Sequence, residues 1–91
     1  MSVTVRIPTQ LRNLSGNAAE VDVEGSTVAE ALKALEGAHP GFGERLFDDT
    51  GQLRRFVNVF VADEDIRFLQ GVDTPLAVGQ TISIVPAVAG G

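Results

Sequence analysis

The sequence predicts a small α+β domain in which one helix covers one face of a mixed β-sheet. Three observations carry this reading. Apolar residues recur at every second position near both ends of the chain and again in its middle, the period of half-buried strands. Between residues 28 and 35 the period lengthens to that of a helix. The 91 residues, 44% apolar and 21% charged, suffice for one modest core and no second one.

In chain order, Val3, Val5 and Ile7 alternate with Thr4 and Arg6, and Pro8 closes the stretch, so residues 3–7 read as a first strand. Asn13-Leu14-Ser15-Gly16-Asn17 supplies turn residues. A second alternation places Val21 and Val23 inward and Glu20, Asp22 and Glu24 outward, making a hairpin with the first strand. Thr27 with Glu30 three residues on is a capping-box pattern, in which side chains satisfy free N–H groups at a helix start. Val28, Ala31, Leu32 and Leu35 form one apolar stripe, and Gly37 and Pro40 are expected to end the helix. Residues 41–53 are turn-rich, with a short helical turn around Glu44 to Phe47.

From Phe56 the two-residue period returns, with Val57, Val59 and Val61 on one face and Phe56, Asn58 and Phe60 on the other. Asp63-Glu64-Asp65 reads as a polar turn and Ile66–Leu69 as a short returning strand. Loops follow at 74–76 and 78–80, then a last strand, Thr81–Val85, with Ile82 and Ile84 inward. The first and last strands, rich in inward β-branched residues, suit the centre of the sheet. Strand, strand, helix, strand, short strand, strand is the order of the β-grasp, or ubiquitin-like, roll of four to five strands. Residues 1–86 are expected to form it and 87–91 to be a flexible tail.

Composition removes several classes of chemistry. Without cysteine there is no thiol nucleophile, disulfide, iron–sulfur cluster or Cys-ligated zinc. The single histidine, His39, lies in a helix-exit loop and reads as a solvated loop residue. The 63–65 carboxylates lack the spacing of a calcium loop, so no metal site is assigned there. A formal net charge of −5 argues against nucleic acid and fits a basic protein partner or simple solubility. Neither a leader nor a membrane span is legible, which leads to the expectation of a cytoplasmic protein that binds no membrane.

The end of the chain, VPAVAGG, carries the functional expectation. Pro86 lacks an N–H and should stop ladder pairing there. Beyond it, Ala87, Val88, Ala89, Gly90 and Gly91 have small side chains, and at about 3.3–3.6 Å per residue they reach roughly 16–18 Å from the fold. Glycine lets another backbone approach closely. Such a tail can thread a partner's channel and present its terminal carboxylate for activation, with the partner as catalyst and the chain as substrate. A plain flexible terminus is the other reading that the tail geometry leaves open.

The stretches VTVRIPTQLR, GSTVAEAL, RFVNVFVADEDIRF and GQTISIVPAVAGG resemble the ThiS/MoaD-type ubiquitin-like sulfur-carrier proteins over the whole chain. VNVFVADEDIR and VPAVAGG are most similar to the CysO-type branch, associated with cysteine biosynthesis. Two features depart from the wider family. Gln80 stands where many members have an acidic residue, and Asp63-Glu64-Asp65 replaces the Asn-Gly turn common in thiamin and molybdopterin carriers. The resemblance implies a carrier rather than an enzyme, with Gly91 as the reactive residue and Gly90 as its enabling neighbour. An E1-like (MoeB/ThiF-type) enzyme, using ATP and magnesium, adenylates the carboxylate, and a sulfur donor converts it to a thiocarboxylate. Acceptors implied are a cysteine synthase, with a metalloprotease to release the product, or another sulfur-metabolite enzyme. Phe56, Phe60 and Val85, on the sheet face opposite the helix, and Pro86 to Ala89 are expected to contact the partner. The Phe rings could instead fill a second small core under residues 62–79. Readings that remain beside this one are a molybdopterin-synthase small subunit, a thiamin sulfur carrier, a ubiquitin-like protein modifier and a plain interaction domain.

Overall fold

A computed structural model describes residues 2–55 and 57–86. The alternation at the chain's start becomes β1, Ser2–Arg6, whose Val3 and Val5 are buried. Glu20–Glu24 forms β2 and pairs antiparallel with it, Val3 opposite Val23 and Val5 opposite Val21. The last strand, Thr81–Pro86, runs parallel to β1 and sits directly beside it, with Val5 against Ile82. Its other edge takes the antiparallel strand Val57–Val61, with Ile82 opposite Val61 and Ile84 opposite Val59. Numbered in chain order, with Val57–Val61 as β3, the two-residue Glu64–Asp65 as β4 and Thr81–Pro86 as β5, the sheet reads β2-β1-β5-β3-β4. Val21, Val5, Ile82 and Val61 therefore form one apolar row across four strands. This is the β-grasp roll expected from the element order, with the first and last strands paired at its middle.

Helix α1, Val28–Ala38, buries Val28, Ala31, Leu32 and Leu35, the stripe read from the sequence. Its start uses half of a capping box. The Glu30 amide donates to Thr27 Oγ1 at 3.2 Å, but the Glu30 carboxylate reaches one residue further back, accepting from the Ser26 amide at 2.9 Å and the Ser26 hydroxyl at 2.8 Å. Those bonds to the charged form, with the nearby Lys33 adding attraction, hold the Glu30 pKa below its ordinary value. Gly25 brings strand and helix together: a methyl group built on it would lie 2.7 Å from the Ala31 nitrogen.

Several local expectations are corrected. Gly37 lies inside α1 and does not end it; the helix runs to Ala38, the His39 amide closes it onto the Leu35 carbonyl, and the left-handed glycine is Gly41. Gly41 starts a second helix, α2, Phe42–Leu46, displaced from the expected 44–47 because Phe42 and Leu46, both fully buried, set its register. The turn expected at 13–17 is preceded by a 3-10 helix, Thr9–Ser15, that buries Leu11 and ends on left-handed Gly16 and Asn17. The returning strand is Glu64–Asp65 rather than Ile66–Leu69, and the polar turn sits one residue earlier than read. Ala62 and Asp63 both have positive φ (51° and 69°) and make a two-residue hairpin with left-handed centres, the geometry that matches strand twist. Ile66–Phe68 is instead a 3-10 turn, its start fixed by the Arg67 amide donating to the Asp65 carboxylate at 2.9 Å while Ile66 enters the core.

Two outcomes follow for stability. Gly25→Ala should destabilise by about 1–3 kcal/mol through overpacking, whereas Gly37→Ala, where an added methyl meets nothing within 4 Å, should stabilise by about 0.4–1 kcal/mol; urea melts of the two variants check this. Because the folded Glu30 pKa lies below its reference of 4.5, its contribution is present above that pH and disappears as pH falls through the folded value. The stability gap between the native chain and Glu30→Ala should thus be open at pH 7 and shrink below pH 4.5; urea midpoints measured down the pH series should converge.

Candidate functional site

Alternation along each strand gives the sheet a second face that α1 does not cover. Across its middle run Glu20, Arg6, Ser83, Phe60 and Asp65, in register. The half nearer β2 is polar. Thr4 Oγ1 donates to Asp22 Oδ1 at 2.9 Å, and Arg6 Nε lies 3.8 Å from Glu20 Oε2 with both side chains well exposed. Towards β5 and β3 the face carries two apolar side chains, Val85, 45% exposed and opposite Asn58, and Phe60, half-buried and opposite Ser83. Half-buried Pro86 lies on the other face, paired with buried Val57 at the last rung of the ladder.

Of the partner-contact residues read from the sequence, Val85 and Pro86 lie at the end of β5, and Phe60 lies nearer the middle of the sheet. Val85 stands opposite Asn58, and Phe60 two rungs further along, opposite Ser83. Phe56, Ala87, Val88, Ala89, Gly90 and Gly91 lie outside the described residues.

Two features escaped the sequence reading. A cleft of about 440 Å³ opens where β1 and β5 end side by side, lined by Arg6, Pro8, Arg12, Glu20, Val85 and Pro86 among others. Its shape depends on the 3-10 helix after β1, which Arg12 ties back by donating from Nε to the Ile7 carbonyl at 3.2 Å. Leu11-Arg12 sits one turn from Pro8, and that spacing could have signalled the helix. Phe68, 86% exposed, is the other; alternation assigned it to a strand, whereas the 3-10 turn aims it at solvent.

The two carboxyls held below their ordinary pKa serve local structure: Glu30 caps α1, and Asp48 accepts from the Thr50 hydroxyl at 2.6 Å and the Thr50 amide at 2.9 Å in a turn. Among the described residues no group of three His, Asp or Glu side chains is placed to hold a metal ion, and no helix is long and apolar enough to cross a membrane.

The ThiS family model matches residues 5–91 of the chain. The chain belongs to the ThiS family. Over 93 aligned residues, spanning 100% of both chains, it is 46% identical to the sulfur carrier protein CysO of Mycobacterium tuberculosis. A chain in the crystal structure of the Amycolatopsis orientalis BexX/CysO complex superposes with a TM-score of 0.91 at 45% identity, covering 98% of this chain and 99% of that one. Small archaeal modifier protein 1 of Haloferax volcanii is 39% identical over 72 residues, 78% of each chain. The family membership and the β-grasp fold expected from the sequence are therefore established.

The patch geometry has a direct consequence. Val85→Asp should leave the melting free energy within about 0.5 kcal/mol of the native chain, since an exposed site accepts charge, while Ile84→Asp, 2% exposed and one residue away, should abolish cooperative unfolding. Circular-dichroism melts of the pair check the face assignment.

Proposed function

We propose that this ThiS-family chain is a sulfur carrier and that Gly91 is its working end. The observation that carries the proposal is the 46% identity, across the full length of both chains, to a protein named as a sulfur carrier. The geometry supports it: exposed Val85 adjoins the end of β5, with Phe60 on the same face two rungs away.

A terminal carboxylate, with a reference pKa near 3.3–3.7, is anionic at neutral pH. In the proposed sequence one of its oxygens attacks the α-phosphorus of ATP, held with magnesium by an E1-like enzyme, and pyrophosphate leaves. Sulfide then adds to the acyl carbon of the adenylate and AMP departs with the original carboxylate oxygen. The product is a thiocarboxylate, whose softer sulfur attacks an acceptor that the carboxylate does not. A persulfide donor can supply the same sulfur, with a thiol reductant releasing the thiocarboxylate as a disulfide forms. The chain's own residues contribute binding and presentation, so the carrier is a co-substrate and its partner the enzyme. By analogy with the CysO relative, the acceptor is a cysteine synthase, with a metalloprotease to release the new cysteine.

A second reading rests on the archaeal relative named as a small modifier protein. In it the activated Gly91 carbonyl is captured by a lysine amine, forming an isopeptide bond.

The test is the intact mass of the native chain after incubation with ATP, magnesium, sulfide and the E1-like enzyme of its own host. Replacement of one oxygen by sulfur, localised to the C-terminal peptide, is the expected result, and deletion of Gly91 or Gly90→Val should abolish it without changing the melt. A ladder of heavier conjugates in lysate with ATP would favour the modifier reading, and an unchanged mass throughout would sink both.

A further inference from the structure

The seven basic residues are not spread evenly over this acidic chain. Arg6 and Arg12 line the cleft beside the ends of β1 and β5. Arg54, Arg55 and Arg67 line a second cleft, of about 160 Å³, beside Val57 and Val59 of β3. Because β1 runs parallel to β5 and β3 runs antiparallel to it, the end of β1 and the start of β3 both lie at the end of β5. Five arginines therefore flank the root of the tail, and only Lys33 on α1 and Arg45 on α2 line neither cleft. Of the twelve acidic residues, Glu20 alone lines either cleft. At the opposite end of the sheet stand Glu24, which pairs with Ser2, and the hairpin residues Asp63 and Glu64. Arg54 also borders a third cleft, with Glu36, Glu44, Asp48 and Asp49, so carboxylates stand beside the arginines as well as at the far end.

The arginines are held but not used up. Arg12 and Arg54 each donate from Nε to a backbone carbonyl, of Ile7 and Glu44 respectively. Arg6 and Arg67 stand 3.8 and 3.5 Å from single carboxylates, Glu20 and Asp65. Arg55 is exposed and has no hydrogen bond or ion pair among the described residues. A guanidinium carries five N–H donors, so each retains donors for a further anion, and carboxylates fit that planar fork.

We propose that this arginine collar docks on an acidic surface surrounding a partner protein's tail-binding channel. The inference rests on the carrier reading above and adds the charge of the partner's entrance, which is the reverse of the basic partner that net charge alone implied. A protein surface fits better than a small phosphate. The two groups of arginines are divided by at least two strand spacings, about 9–10 Å, which a rim of carboxylates spans and a single phosphate group does not.

The collar can be tested without the activating enzyme. The ¹⁵N-labelled full chain is titrated with hexaglutamate peptide at about 10 mM salt, where charges interact over about 30 Å, and again at about 0.15 M, where they reach about 8 Å. Amides of residues 6, 7, 9–12, 54, 55 and 67 should shift saturably while those around Lys33 and Arg45 stay still, and affinity should fall about tenfold at the higher salt. Arg55→Glu substitution, at an exposed position without an ion pair among the described residues, should weaken the response in the second cleft and leave the melt unchanged. Shifts of equal size at Lys33 and Arg45, or none at the collar, would overturn the proposal. Saturation of the same amides by inorganic tripolyphosphate at lower concentration than by hexaglutamate would replace the protein surface with a small polyphosphate. None of these outcomes depends on Gly91, so thiocarboxylate formation stands or falls separately.

Discussion

Everything in this molecule hangs on the parallel pairing of its first and last strands. Val5 against Ile82 lies at the centre of the apolar row that α1 covers, and neither strand could be buried on that face without the other. A parallel pair cannot be closed by a tight turn, so the intervening chain must cross over, and α1 is part of that crossover. The same pairing sends β5 out of the sheet beside the end of β1. That one contact sets both the core and the exit point of the tail.

The functional surface is a by-product of this arrangement. Ile82 and Ile84 are committed to the core, so strict alternation turns Ser83 and Val85 to the opposite face. β3 is locked to β5 in register, which sets Phe60 opposite Ser83 on that face. Val85 and the tail's attachment point are thereby mounted on a central strand, with Phe60 on its neighbour, rather than on a loop, and their spacing is fixed by backbone ladders.

Strands, the helix stripe and the core were legible because each rests on a period: Val3, Val5, Val57, Val59, Val61, Ile82 and Ile84 all went where alternation put them, and Val28, Ala31, Leu32 and Leu35 where the helix period did. What escaped lies where local conformation overrides period. Ala62 gives no sign of adopting a left-handed turn, which is forced on it by the pairing of Val61 with Glu64. The Ile66–Leu69 stretch looked like a strand because apolar residues stood at its ends, yet only Ile66 has room in the core. The placement of Phe60 and Val85 on the face away from α1 was readable from alternation alone. The arginine collar was not, since Arg6, Arg12, Arg54, Arg55 and Arg67 are far apart in sequence and only the direction of β1, β3 and β5 brings them to one end.

The position of β5 also decides how the domain bears mechanical load. A partner that grips the tail pulls along the axis of a strand bonded on both edges, to β1 and to β3. Those hydrogen bonds lie across the direction of pull, so they must rupture together in shear and cannot open one at a time like a zip. An edge strand such as β2 is bonded to one neighbour only. The domain is built as an anchor as much as a handle.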